Sequence, residues 1–246
     1  QWRSFRALTK KQWGQLALIG LTGGSIAFLL FFFALQNTSA ITAGFLHKTI
    51  FIFATILAVV FLKEKINKKF LLGGILLFAG NFLVFSALES FSIIDLLVVA
   101  AVVLWAIENT FAKKVLKELS GLQVAFGRIF FGTLFMLPIL FFSNNLPDLA
   151  LLSWQELQWV LIASGFLFLF VASYYSGLKY IPVSRATALL LIGQPITAIL
   201  SLAFLAKAIA PLQALGFLVL LGGIALVTLS LGSVKKPVLC VDRALQ

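Results

Sequence analysis

Six stretches of this sequence carry no Asp, Glu, Lys or Arg: residues 12–47, 70–88, 129–147, 157–178, 186–206 and 208–234. A helix needs about 20 apolar residues to cross the hydrocarbon core of a bilayer, and runs of this length in one chain leave few folds open. Segments such as Phe28 to Phe33 and Leu215 to Leu221 are apolar on every face. Membrane strands would instead alternate over about ten residues. Helices close their backbone hydrogen bonds internally and can therefore sit in lipid. Composition agrees, with 61% of residues apolar and 11% charged, against about 45–50% and 25% in soluble domains. A soluble fold, a disordered chain and a disulfide scaffold are excluded. Cys240 is the single cysteine, which rules out an internal disulfide or a thiolate metal site.

Breaking the apolar runs at polar and turn residues gives eight expected transmembrane helices, at about 13–34, 38–62, 69–88, 92–115, 121–143, 156–176, 182–206 and 211–232. The fold class is an all-α polytopic membrane protein. The net charge of +11 would suggest nucleic acid in a soluble chain. Here its distribution follows topology. Of the 19 Lys and Arg residues, all except Lys48, Arg128 and Lys207 fall before the first span, after the last, or in every second loop. That bias marks the cytoplasmic side, so both ends of the chain are expected to be cytoplasmic. The setting is a cell membrane, a bacterial inner membrane above all. No nucleic-acid partner is expected.

Shifting the sequence by 143 residues aligns Gln12 and Gln15 with Gln155 and Gln158. It also aligns Phe61 and Leu62 with Phe204 and Leu205, and Gly73 and Gly80 with Gly216 and Gly223. The shift carries the first three spans onto the last three, so one period holds five helices. An odd number inverts the second copy in the membrane, a recurrent transporter arrangement. Residues 1–90 are then the last three helices of a first repeat. Residues 91–232 are a complete second repeat, and 233–246 a cytoplasmic tail. Two helices preceding Gln1 are expected to be lacking.

These features resemble the drug/metabolite transporter superfamily, in its EamA-like branch. Family members are similar to 5+5 inverted repeats of ten helices, in which a phrase like L-x-E-[KR] precedes a Gly-rich helix. Here Phe61-Leu62-Lys63-Glu64-Lys65-Ile66 leads to Gly73, Gly74 and Gly80. The second copy, Phe204-Leu205-Ala206-Lys207-Ala208-Ile209, leads to Gly216, Gly222 and Gly223, with Lys207 in place of the Glu. Trp105 followed by Lys113 and Lys114 is similar to the sixth helix of the family. The resemblance covers about residues 12–232 and implies a secondary transporter of small metabolites or drug-like molecules. An accessory or scaffold subunit, or an inactive remnant, is the rival reading.

Lys48 lies about ten residues into the second span, roughly 15 Å deep. A Lys at that depth costs at least about 2.5–3.5 kcal/mol, which marks it as a cavity-lining cation for an anionic or zwitterionic substrate, or as a Lys that snorkels or pairs elsewhere. His47, the one histidine, adjoins it. Gln194 and Pro195 lie mid-membrane in the seventh span, the repeat mate of the second. The proline is expected to kink or loosen that helix. These four residues are the expected substrate-binding set. The second and seventh spans would line one central cavity, with the third and eighth packed away from it. Glu108 and Arg128 lie equally far from the turn near Glu118, which predicts an ion pair between adjacent fifth and fourth spans, acting as a gate or a static bridge. No phosphate loop, HExxH or acidic cluster is present, so neither an enzyme, a cofactor nor a metal is expected. The expected partners are the lipid bilayer and a small-molecule substrate, with a homodimer as a further assembly.

Overall fold

A computed structural model of the chain describes residue 5 and residues 8–85, 92–142, 153–205 and 208–233. Regular structure among these residues is helical throughout. The helices are α1 (Lys10–Leu35), α2 (Ala40–Leu62), α3 (Lys68–Val84), α4 (Asp95–Val115), α5 (Gly121–Phe142), α6 (Trp154–Leu178), α7 (Val183–Phe204) and α8 (Pro211–Leu229). All but α3 are long and apolar enough to cross a membrane. Helix α3 has 17 residues, about 25 Å at 1.5 Å per residue, and it pairs with α8. Lys207 and the tail from 234 onward lie outside the described residues.

Helix ends follow local chemistry. Thr9 and Gln12 form a capping box at the start of α1, and Ser153 and Glu156 form another at α6. The second box starts α6 at Trp154, two residues before the expected start at about 156. Asn67 accepts a hydrogen bond from the Phe70 N–H at the start of α3 (2.8 Å). Pro211 occupies the first turn of α8, where its missing N–H costs nothing.

The tightest packing rests on glycine. Helices α3 and α8 make the most extensive interhelical contact. A Cβ on Gly73 would lie 2.9 Å from the Gly223 carbonyl, and one on Gly223 would lie 2.9 Å from the Gly73 carbonyl. Gly80 and Gly216 oppose each other in the same way, at 2.9 and 3.0 Å. With no hydrophobic drive between helices in lipid, such close approach supplies dispersion contact instead. In the 143-residue register Gly73 corresponds to Gly216 and Gly80 to Gly223. The reciprocal pairing is therefore the contact that a two-fold axis in the membrane plane would generate.

A second close approach joins α1 to α5. Residues Gly20–Ile26 of α1 form a π-helical segment, and a Cβ on Gly132 would lie 2.7 Å from the Gly24 carbonyl. Helices α4 and α5, expected as packed antiparallel neighbours, share little direct contact. The glycine-lined centre of α1 and the last turns of α6 fill the space between them. Of α6 itself, only Val171, Ala172, Tyr175 and Leu178 are buried. Its first four turns present Trp159, Phe166 and Leu169 outward.

The ends of the helices that carry the Lys and Arg residues meet on one face. Gln12 of α1 donates to Glu118 in the α4–α5 turn (3.4 Å). Lys179 after α6 donates to the Leu119 carbonyl (3.2 Å). Arg185 lies in the first turn of α7 and is buried. It donates to the Ser230 hydroxyl (3.0 Å) and covers the Phe70 ring. We refer to this as the basic face.

Candidate functional site

Besides α1, two helices change their winding midway, and they do so at matching positions. In α2 the break is at Thr49. Its N–H and its hydroxyl both donate to the Leu46 carbonyl, at 3.0 and 2.6 Å. This tightens the turn, ends the segment Ala40–Lys48 and lets a new segment start at Ile50. In α7 the segment Leu190–Ile192 winds as a 3₁₀ turn before Gly193. Pro195 has no N–H for the carbonyl four residues back, at Leu191, which accounts for the interruption. In the 143-residue register Thr49 corresponds to Ile192. The α7 break has an evident cause in proline. The α2 break depends on one threonine, and sequence reading took that helix as continuous.

Lys48 and His47 stand at the α2 break, both half-buried. His47 packs edge-on to Trp105 of α4, with ring centroids 5.1 Å apart, and against Phe31 of α1 at 5.3 Å. Among the described residues no carboxylate pairs with Lys48; the one ion pair there is Glu108–Arg128. Gln194 and Pro195 are buried in α7. Gln194 donates to Asn81 of α3 (2.9 Å), and Asn81 donates to the Phe45 carbonyl of α2 (3.2 Å). The carboxamide chain thus ties α7, α3 and α2 together. The Gln194 Oε1 atom is buried without a protein partner.

The ion pair is looser than its sequence spacing suggests, and Tyr175 explains why. Arg128 Nη1 lies 3.9 Å from Glu108 Oε2. The Tyr175 hydroxyl sits between them, donating to Glu108 Oε1 at 2.5 Å and accepting from Arg128 at 3.2 Å. Arg128 also donates to the Gly23 carbonyl (3.2 Å), which the Trp105 indole N–H bonds at 2.9 Å. Glycine is required at position 23 because a Cβ would lie 2.5 Å from Glu108 Cγ. Glu108 is 1% exposed, and its Oε2 has no hydrogen-bond donor. A continuous set of contacts therefore runs from His47 through Trp105, Gly23, Arg128 and Tyr175 to Glu108.

Sequence reasoning missed Tyr175 as a partner and the Gly23 carbonyl. Only the latter carried a signal, the Gly23–Gly24 pair inside an apolar span. A shallow apolar groove of about 350 Å³ runs along α5, lined by Phe126, Ile129, Phe130, Thr133, Leu134 and Leu137. None of the residues above lines it.

The helix count, the matched breaks and the reciprocal glycines can be set beside known proteins. The model of the EamA-like transporter family matches residues 1–86 and 92–229. The chain belongs to the EamA-like transporter family. It is a multi-pass membrane protein of a family of membrane transporters. This EamA-like chain is 29% identical over 192 residues to the "Uncharacterized transporter YetK" of Bacillus subtilis (strain 168). The match covers 73% of this chain and 57% of that relative's length. Among solved structures, one described simply as the crystal structure of a protein aligns with a TM-score of 0.74 at 17% identity. It covers 94% of this chain and 80% of that one, a likeness of fold.

Proposed function

We propose that this EamA-like chain is part of a secondary transporter that carries a small metabolite or drug-like molecule by alternating access. The carrying observation is the pair of matched breaks at Thr49 in α2 and Leu190–Ile192 in α7. Interrupted helices at mid-depth free backbone groups and mark substrate sites at repeat interfaces. Residues 1–90 act as the last three helices of a first repeat, 91–232 as a second repeat, and 233–246 as a tail. The reciprocal glycine contacts of α3 and α8 support this division. The basic face is cytoplasmic, following the charge bias, and the membrane is a bacterial inner membrane.

Lys48 and His47 on one break, and Gln194 and Pro195 on the other, form the substrate site. Lys48 supplies a cation with no carboxylate partner among the described residues, and it selects cargo with an anionic group. Glu108 and Arg128, bridged by Tyr175, hold α4, α5 and α6 together beneath that site.

The test is uptake into proteoliposomes of a panel of labelled carboxylates, zwitterions and amines. An anionic or zwitterionic solute is expected to accumulate. Lys48→Ala should lower its uptake about tenfold, the loss of one charge-assisted contact, while Lys48→Arg keeps part of it. Uptake of amines alone, or normal uptake by Lys48→Ala, rejects the assignment of Lys48.

A further inference from the structure

The last turn of α2 reaches across to α7 in a way that the transport reading does not use. Glu64 follows the end of α2 at the basic face. Its Oε1 accepts the Val183 N–H at 2.6 Å. Its Oε2 accepts the Ser184 N–H at 3.2 Å and the Ser184 hydroxyl at 2.6 Å. The first residues of α7 have no intrahelical acceptor for their N–H groups, and here a carboxylate from another helix fills that role. Pro182, the residue before α7, makes no side-chain cap of its own.

The backbone is bent to deliver this carboxylate. Lys63 has φ 57° and ψ 34°, the one positive φ among the described non-glycine residues. The Glu64 N–H returns to the Ala58 carbonyl (3.2 Å), which completes a left-handed helix stop. Glycine is the residue normally found in that conformation, and a side chain there is disfavoured. Lys113 of α4 secures the same corner. Its ammonium donates to the carbonyls of Leu178, Lys179 and Ile181, at 2.6, 3.1 and 2.8 Å.

The residues in register at the opposite face cannot form the same device. In the 143-residue register Glu64 corresponds to Lys207, and Val183 and Ser184 correspond to Ala40 and Ile41. A lysine cannot accept an N–H, and an isoleucine has no hydroxyl to offer. The start of α2 is capped locally instead, by Ser39 accepting the Thr42 N–H at 3.1 Å. Helix α7 shows the same imbalance in its packing. Residues 183–188 are all buried, whereas Ile199, Leu200 and Phe204 are exposed.

We propose that Glu64 is a one-sided latch: it closes the basic-face ends of α2 and α7, and its absence at the opposite face biases the resting protein toward the state closed at the basic face. The role rests on the alternating-access reading, because the two helices must part at this end for cargo to leave there. Each opening at the basic face breaks the three hydrogen bonds to Glu64 at once.

Double electron–electron resonance on the full chain in nanodiscs, without cargo and with Cys240→Ser, tests the latch. One label pair is placed at Lys65 and Tyr180 on the basic face, and another at Gln36 and Ala210 on the opposite face. Glu64→Ala should lower the ratio of short to long Lys65–Tyr180 distances about tenfold, the usual worth of a lost helix cap. The Gln36–Ala210 distances should shorten in parallel. Lys207→Glu combined with Ile41→Ser builds the missing half and should shift the Gln36–Ala210 pair to short distances by a similar factor. This second variant decides the matter if Glu64→Ala does not fold. Unchanged distances in Glu64→Ala, or in the gain-of-latch variant when it alone folds, overturn the proposal. Distances that shift in a protein that moves no solute would leave the latch standing and reject transport instead.

Discussion

At the scale of single residues, the buried cluster around Glu108 is where charge is handled with least margin. Glu108 Oε1 depends on the Tyr175 hydroxyl, and Arg128 reaches the carboxylate only at 3.9 Å. Tyr175→Phe removes the donor from a buried carboxylate and should destabilise the protein by about 1–3 kcal/mol, read as a lower unfolding midpoint in detergent. Glu108→Gln alone and Arg128→Gln alone should each cost about 3–5 kcal/mol, because each leaves one charge unpaired. The double substitution should recover much of that loss. Recovered transport with recovered stability assigns the pair to structure, whereas stability without transport assigns it to gating. The equal distance of the two residues from the Glu118 turn could be read from spacing. Tyr175 could not, because it comes from a helix 47 residues further along the chain.

At the scale of helices, the glycines separate into two kinds that composition cannot distinguish. A Cβ on Gly80 would meet the Leu220 backbone nitrogen at 2.8 Å and the Gly216 carbonyl at 2.9 Å. Backbone cannot yield as a flexible side chain can. Gly80→Ala and Gly216→Ala should each force α3 away from α8 and cost about 1–3 kcal/mol. Gly165 in α6 has nothing within 4 Å of a built Cβ. Gly165→Ala should be neutral or gain up to about 1 kcal/mol from helix propensity. Thermal unfolding of the three variants in one detergent makes the comparison. A loss at Gly165 as large as that at Gly80 would reject the packing account.

At the scale of the whole molecule, the arrangement sets a tightly glycine-packed pair, α3 and α8, beside the broken helices α2 and α7, joined to them through Asn81 and Gln194. If the breaks border the substrate path, a cysteine at position 194 should react with a small thiol reagent in membranes. A cysteine at position 220, where Leu220 is fully buried against α3, should not. Labelling of 220 but not 194 would reverse the roles of the two helix pairs.

What the sequence determines alone is the class of solution. Charge-free runs admit only helices in lipid, and the positions of Lys and Arg set which helix ends share a face. Both effects act through local composition and the cost of moving charge into hydrocarbon, so neither needs a neighbour. The 143-residue register belongs to the same level, since Gly73 and Gly216 are legible as matching letters. That Gly73 touches Gly223 and not Gly216 is a tertiary fact, decided by how two antiparallel helices cross. The same holds for the break at Thr49, for α1 lying between α4 and α5, and for Glu64 capping a helix that begins 119 residues later. Each depends on a close approach between segments far apart in the chain, where a missing Cβ or one hydrogen bond decides between packings that look alike in sequence.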